Sequence, residues 1–166
     1  GKQWDVVIDN SASMKVDWVT RSASQLQKQV KKYYFVSTRS VYFDTSRVPM
    51  TIDAPLFSRE NTPVEPGKDP PYGLAKALME AEVQKYFPNG RFLIARPGLI
   101  VGPGDLTDRF TYWPIRIERG GEILAPGDGT DRVQVIDAGY FSEWLIRLAE
   151  QDASGIYNVV GPKTPR

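Results

Sequence analysis

The stretch Pro70-Pro71-Tyr72-Gly73-Leu74-Ala75-Lys76-Ala77-Leu78-Met79-Glu80 organises the chain. Two prolines prescribe an extended entry and cannot sit inside a helix. From Tyr72 to Tyr86 the residues are mostly good helix formers, and Phe87-Pro88-Asn89-Gly90 stops them. Tyr72 and Lys76 are four apart, so both project from one face, a turn from each other. An ammonium held near a phenol favours the phenolate, and the positive end of a helix dipole acts in the same direction. Tyr-x-x-x-Lys at a helix start is therefore an acid/base device, weighed here against a solvated lysine beside a half-buried ring. The segments around it decide between the two.

Upstream, Trp4-Asp5-Val6-Val7-Ile8 reads as a short buried strand, ended by the turn formers Asp9-Asn10-Ser11. Asp17 is placed to cap a helix in which Val19, Ala23, Leu26 and Val30 recur at helical spacing, and Lys28, Lys31 and Lys32 crowd its expected last turns. Tyr33-Tyr34-Phe35-Val36 is a second buried strand and runs into Ser37-Thr38-Arg39-Ser40-Val41-Tyr42. A polar stretch from Phe43 to Pro71 then leads to the Tyr72 helix; loops of that length are uncommon and often functional. Downstream, Phe92-Leu93-Ile94-Ala95 is a third strand ended by Arg96-Pro97-Gly98, and Leu99-Ile100-Val101 leads into a Gly102-Pro103-Gly104-Asp105 turn. A helix is expected around Asp108 to Glu118, kinked or broken by Pro114. Short strands are expected at Glu122–Ala125 and Val133–Ile136, a last helix capped by Asp137, and a final strand at Ile156–Val160. Alternating strands and helices mean an α/β fold, a parallel sheet covered by helices, in which ligands sit outside the carboxyl ends of the strands. Asn10, Ser11, Thr38, Arg96-Pro97 and Tyr72 all fall on that rim.

Composition narrows the chemistry. A chain of 166 residues with net charge +1 suits one domain with a real core and gives no case for nucleic acid. No apolar run approaches the ~20 residues of a membrane span, and the start runs straight into a strand rather than a leader. There is no Cys and no His, which removes Ser-His-Asp and Cys-His machinery and most zinc sites, and no metal is expected. Any general base must be Asp, Glu, Lys or Tyr, which raises the standing of Tyr72 and Lys76. The absence of Cys fits a reducing cytoplasm.

Together these segments resemble the short-chain dehydrogenase/reductase superfamily, in its extended NAD-dependent epimerase/dehydratase-like branch. Asp9-Asn10-Ser11 resembles the turn that borders the cofactor. Ser37-Thr38-Arg39-Ser40-Val41-Tyr42 resembles the segment that carries the catalytic Ser or Thr. Tyr72-Gly-Leu-Ala-Lys76 matches Tyr-x-x-x-Lys, and Arg96-Pro97 through Gly102-Pro103 resembles the run beside the nicotinamide. The resemblance covers about Trp4 to Gly161. It implies a partial Rossmann-like, doubly wound parallel sheet over residues 1–104, and a small C-terminal substrate lobe with returning Rossmann elements over 105–166. It implies Tyr72 as general acid/base, Lys76 as its tuning cation and a ribose ligand, and Thr38 as donor to the substrate oxygen. NAD or NADP would lie against Asn10, Ser11, Tyr72, Lys76 and Pro97. It also implies a homodimer through helices 17–31 and 72–87.

Departures from the family pattern sharpen the expectation. No Gly-x-x-Gly-x-x-Gly turn is present to hold a pyrophosphate, so the chain reads as the back portion of a larger protein, inactive by itself. Arg39-Ser40 stand where dehydratases carry Asp-Glu, which argues against sugar dehydration, and Tyr140 stands where a second acid is expected after Asp137. Arg109 and Arg132 fall in the substrate half and suit a phosphate or carboxylate, against the alternative of exposed ion pairs. The expected function is an NAD(P)-dependent oxidoreductase or epimerase acting on a small hydroxyl or carbonyl substrate such as a nucleotide sugar. The alternative is a catalytically silent nucleotide- or RNA-binding protein on the same fold.

Overall fold

The computed structural model describes residues 1–11, 14–130 and 133–161. The described residues form six strands: β1 (Trp4–Asp9), β2 (Val30–Val36), β3 (Phe92–Pro97), β4 (Leu99–Val101), β5 (Val135–Asp137) and β6 (Gly155–Val159). The helices are α1 (Val16–Leu26), α2 (Tyr72–Tyr86), α3 (Tyr112–Glu118) and α4 (Ala138–Glu150), with a 3₁₀ turn at Arg39–Val41.

Strands β1, β2, β3 and β6 form one parallel sheet in the order β1-β2-β3-β6, and β4 pairs with β5 in a separate parallel ribbon. Strand alternation divides β2 between two cores. Tyr33 and Phe35 face α1 and α2, packed with Val19, Ala23, Ala75 and Met79. Tyr34 faces α4, packed with Leu93, Phe141 and Leu145. A sheet covered on both faces requires continuous apolar strands, which is why Tyr33–Val36 shows no polar alternation. The doubly wound α/β expectation therefore holds. Among the described residues no helix is long and apolar enough to cross a membrane.

Three local expectations are corrected. The first helix stops at Leu26 and does not continue through Val30–Lys32, because Val30 and Lys32 pair with Trp4 and Val6 of β1. A helical period extends through Val30, but the strand ladder takes these residues. Asp17 is then not the cap, a position held by Lys15; it lies in the first turn, where its charge still meets the helix dipole. Glu122–Ala125 is not a strand: it follows Gly120 and Gly121, both in the left-handed region at φ 64° and 75°, and Leu124 is 92% exposed with no partner strand among the described residues. The strand expected at 133–136 occupies Val135–Asp137 and pairs with Leu99–Val101. Pro114 falls in the first turn of α3, where a missing N–H costs nothing, so it sits at the start of that helix without kinking it.

The polar stretch after Tyr42 is not loose. Tyr42 bridges Leu56 antiparallel, Phe57 N donates to Val41 O at 2.9 Å, and Met50, Ala54, Leu56 and Phe57 pack on Val41, Tyr42 and Ala77. This lays the loop over the 3₁₀ turn and the start of α2.

Candidate active site

The site is built where β1, β2 and β3 end. Helix α2 begins at Tyr72 directly after Pro71, and its first two turns carry Tyr72 and Lys76 on one face. Lys76 is 3% exposed; its Nζ donates to Ser11 O at 2.8 Å and to Val36 O at 3.1 Å and lies 4.7 Å from the Phe35 ring centroid. It thus ties together the ends of β1 and β2. Burial pulls its ammonium below the usual lysine range, while the carboxylates of Asp9 and Glu80 work the other way. Tyr72 is 42% exposed, and its phenol makes no hydrogen bond among the described residues.

Thr38 follows β2 as the cap of the 3₁₀ turn. Its Oγ1 accepts from Ser40 N at 3.2 Å, which leaves its hydroxyl hydrogen to donate elsewhere. Gly73 sets how close this turn comes to α2. A Cβ there would stand 2.2 Å from Ser40 O and 2.9 Å from Phe57 Cδ2, so only glycine allows the contact.

Two cavities meet here. The smaller, about 460 Å³, is bounded by Asn10, Val36, Ser37, Tyr72, Lys76 and Ile100, and by the inner face of α4 at Phe141 and Leu145. The larger, about 850 Å³, is bounded by Thr38, Arg39, Ser40, Tyr72, Pro97 and Arg109, with Gln134 among its other walls. Tyr72, Ser37 and Ile100 border both.

The expected site residues sort between these spaces. Asn10 and Lys76 line the smaller cavity, Thr38 and Arg109 the larger, and Tyr72 the junction. Pro97 lies on the larger cavity, the side of Thr38, and not on the side of Lys76 with which it was grouped. Ser11 contributes its main-chain oxygen to Lys76, and Asp9 Oδ1 accepts from Ser11 N at 2.8 Å. Arg132 lies outside the described residues.

A buried network behind the site escaped the sequence reading. Glu80 and Arg96, 1% and 2% exposed, form a two-pronged pair: Nε donates to Oε1 at 3.0 Å and Nη2 to Oε2 at 2.7 Å. Ser37 Oγ donates to the same Glu80 Oε1 at 2.5 Å. Arg96 Nη1 donates to Tyr42 Oη and to Ile52 O, and the Tyr42 hydroxyl donates to Asn158 Oδ1. Asn158 Nδ2 in turn donates to Met50 O at 3.0 Å. The neighbour of Thr38, the Tyr72 helix, β3 and the long loop are thereby held in one hydrogen-bonded unit. One signal was present: Glu80 lies four residues beyond Lys76 and so continues its helical face.

Residues 6–160 match the family model described as the NAD dependent epimerase/dehydratase family. The fold is of the parallel α/β class, and the chain belongs to the NAD dependent epimerase/dehydratase family. No curated protein matches it in sequence. Among solved structures it resembles a UDP-N-acetylglucosamine 4-epimerase from Bacillus cereus, with a TM-score of 0.71 at 13% identity, over 96% of this chain and 57% of that one. It resembles a UDP-N-acetylglucosamine 4-epimerase from Methanobrevibacter ruminantium M1, in complex with UDP-N-acetylmuramic acid, with a TM-score of 0.73 at 19% identity, over 94% of this chain and 55% of that one. It also resembles a UDP-glucuronic acid 4-epimerase from Bacillus cereus in complex with NAD, with a TM-score of 0.66 at 20% identity, over 87% and 46%. The chain spans about half the length of these proteins.

Proposed function

We propose that these residues form the acid/base side of an NAD- or NADP-dependent oxidoreductase or epimerase that acts on a hydroxyl or carbonyl of a small substrate of the nucleotide-sugar kind. The observation that carries this reading is the position of Tyr72: its unpartnered phenol borders both cavities, with Lys76 on one side and Thr38 on the other. A redox cofactor and a substrate need such adjoining spaces with one proton carrier between them. The names of the three structural neighbours given above, each a UDP-sugar 4-epimerase, support the substrate class.

The residues present fit the cofactor. The smaller cavity offers apolar walls at Val36, Ile100 and Leu145 for a flat ring, and polar groups at Asn10, Ser37 and Lys76 for an amide and a ribose. Lys76 spends two of its three N–H donors on main-chain oxygens, which leaves one for a ribose hydroxyl. Bound there, the cofactor supplies two-electron redox chemistry at the substrate carbon. The chain's own part is to hold and move the proton. The Thr38 hydroxyl donates to the substrate oxygen and fixes it, and Tyr72 Oη takes or returns that oxygen's proton, with Lys76 one turn along the same helix face. The outward faces of α1 and α2, where Trp18 is 59% exposed, serve as an isologous dimer contact under the same reading.

Tyr72→Phe in the intact protein tests the assignment. Turnover is expected to fall by ~10²–10⁴-fold, the usual worth of general acid/base catalysis. Stability should stay within about 0.5 kcal/mol, because the phenol has no partner among the described residues. Thr38→Ser should keep much of the turnover and Thr38→Val should lose it. Turnover of Tyr72→Phe at the parent rate would overturn the reading.

A further inference from the structure

Arg39 directly follows Thr38 on the 3₁₀ turn and lines the larger cavity beside it. It is exposed, and its stem lies over Gly98, with Cδ 3.9 Å from where a Cβ on that glycine would stand. Among the described residues its guanidinium has no ion pair and no hydrogen-bond partner. Other arginines are visibly employed: Arg91 donates to the main-chain oxygens of Gln27, Val30 and Lys31, and Arg96 to Glu80, Tyr42 and Ile52. On the same cavity Arg109 donates Nε to Thr107 Oγ1 at 3.0 Å, and among the described residues its terminal nitrogens make no hydrogen bond. Asp108, the acid beside it in sequence, accepts from Thr111 Oγ1 at 2.6 Å, and Asp105 accepts from Thr107 N and Oγ1, with the Arg109 charge helping to hold its carboxyl below the usual carboxylate range. The described walls of this cavity thus carry two guanidinium groups and no carboxylate.

A concave surface with one sign of charge concentrates ligands of the other sign. A guanidinium presents a planar fork that matches a carboxylate or phosphate with two parallel hydrogen bonds. Arg39 is the chain neighbour of Thr38, with α-carbons ~3.8 Å apart, so an anion read by Arg39 lies close to the oxygen that Thr38 holds. We infer that Arg39 is a specificity residue: it selects substrates that carry an anionic group, carboxylate or phosphate, on the reacting end of the molecule, next to the hydroxyl handled by Thr38 and Tyr72. This rests on the proposed role of Thr38 and Tyr72 and adds the charge of the substrate to it.

Two probes differ only in that charge: UDP-glucose, and UDP-glucuronate, which carries a carboxylate in place of the hydroxymethyl group. Their kcat/KM ratio is measured with the intact protein, Arg39→Gln and Arg39→Lys. The parent is expected to prefer UDP-glucuronate. The preference should fall by ~10–100-fold in Arg39→Gln, the worth of a charge-assisted bidentate contact, and by less in Arg39→Lys, which keeps the charge without the fork. A ratio that moves less than twofold overturns the proposal. So does an equal loss for both probes, which would put the nucleotide phosphates at Arg39.

A second measurement reads the anion site without turnover. The Nε–H signal of Arg39 in ¹⁵N-labelled protein, assigned by its loss in Arg39→Gln, is followed during titration with sodium glucuronate and with neutral methyl glucoside. It should shift with the first alone. Turnover that depends on Tyr72 without this shift overturns the anion site and leaves the enzyme reading standing. The shift without any turnover supports the anion site and counts against the enzyme reading. Neither response overturns both.

Discussion

At the residue scale, what separates this site from an ordinary protein surface is the burial of its charges. Glu80 and Arg96 are ionised partners with almost no exposure, and the acid is also the acceptor for Ser37 beside Thr38. Removing one member of such a pair strands the other in a low dielectric. Glu80→Gln is expected to cost ~3–5 kcal/mol in urea unfolding, whereas replacing both Glu80 and Arg96 by methionine should recover most of that loss. Tyr34 gives a pH-dependent counterpart. Its hydroxyl donates to Leu148 O at 3.0 Å and Ala153 O at 2.7 Å, and burial, helped by the Asp152 charge, pushes its pKa up to about 12. The folded phenol holds its proton above the unfolded value of about 10, so its contribution is complete below pH 10 and is lost as pH rises from there through 12. A two-unit gap corresponds to ~2–3 kcal/mol. Tyr34→Phe should therefore be less stable than the parent at pH 8, and the difference between their urea midpoints should shrink by pH 12.

At the scale of elements, the decisive contact is between the 3₁₀ turn of Thr38 and the first turn of α2. Gly73 permits it, with Ser40 O standing where a side chain would begin. A main-chain oxygen cannot step aside as a flexible side chain can. Gly73→Ala is expected to push the two elements apart, at a stability cost of ~1–3 kcal/mol for overpacking, and to lose turnover by a larger factor than stability alone explains, because Thr38 and Tyr72 separate. Thermal unfolding compared with kcat of the folded fraction checks this. The long stretch between Tyr42 and Tyr72 belongs to the same unit, since Arg96 and Asn158 hold its Ile52 and Met50 carbonyls.

For the molecule as a whole, α1 and α2 pack side by side on one face of the sheet, and α4 covers the other. Seven of the fifteen residues of α2 are buried, and α1 presents Trp18 and Arg21 outward. A dimer through this face would sequester the indole. Light scattering of the intact protein should then give twice the protomer mass, and Trp18→Glu should return it to the protomer mass without altering the fold. A monomer at high concentration counts against the contact.

The sequence by itself determined the α/β alternation, the rim of polar residues at strand ends and the Tyr72/Lys76 pair. These are local: apolar runs make strands, a proline pair opens a helix, and spacing four puts two side chains on one face. The pairing of Asp137 with Tyr140 N as a helix cap was legible for the same reason. Where helical spacing and strand pairing competed, as at Val30–Lys32, only the tertiary structure decided, because a parallel ladder forms with a partner some 26 residues away that no local period reveals. The failure of Glu122–Ala125 to become a strand has the same origin, since a strand needs a neighbour and this segment has none among the described residues. Lys76 likewise turned out to bind main-chain oxygens of Ser11 and Val36, not the phenol one turn away. The Glu80–Arg96 pair and the closeness allowed by Gly73 depend on residues far apart in the chain meeting in a space without water, and that meeting is a property of the packed fold.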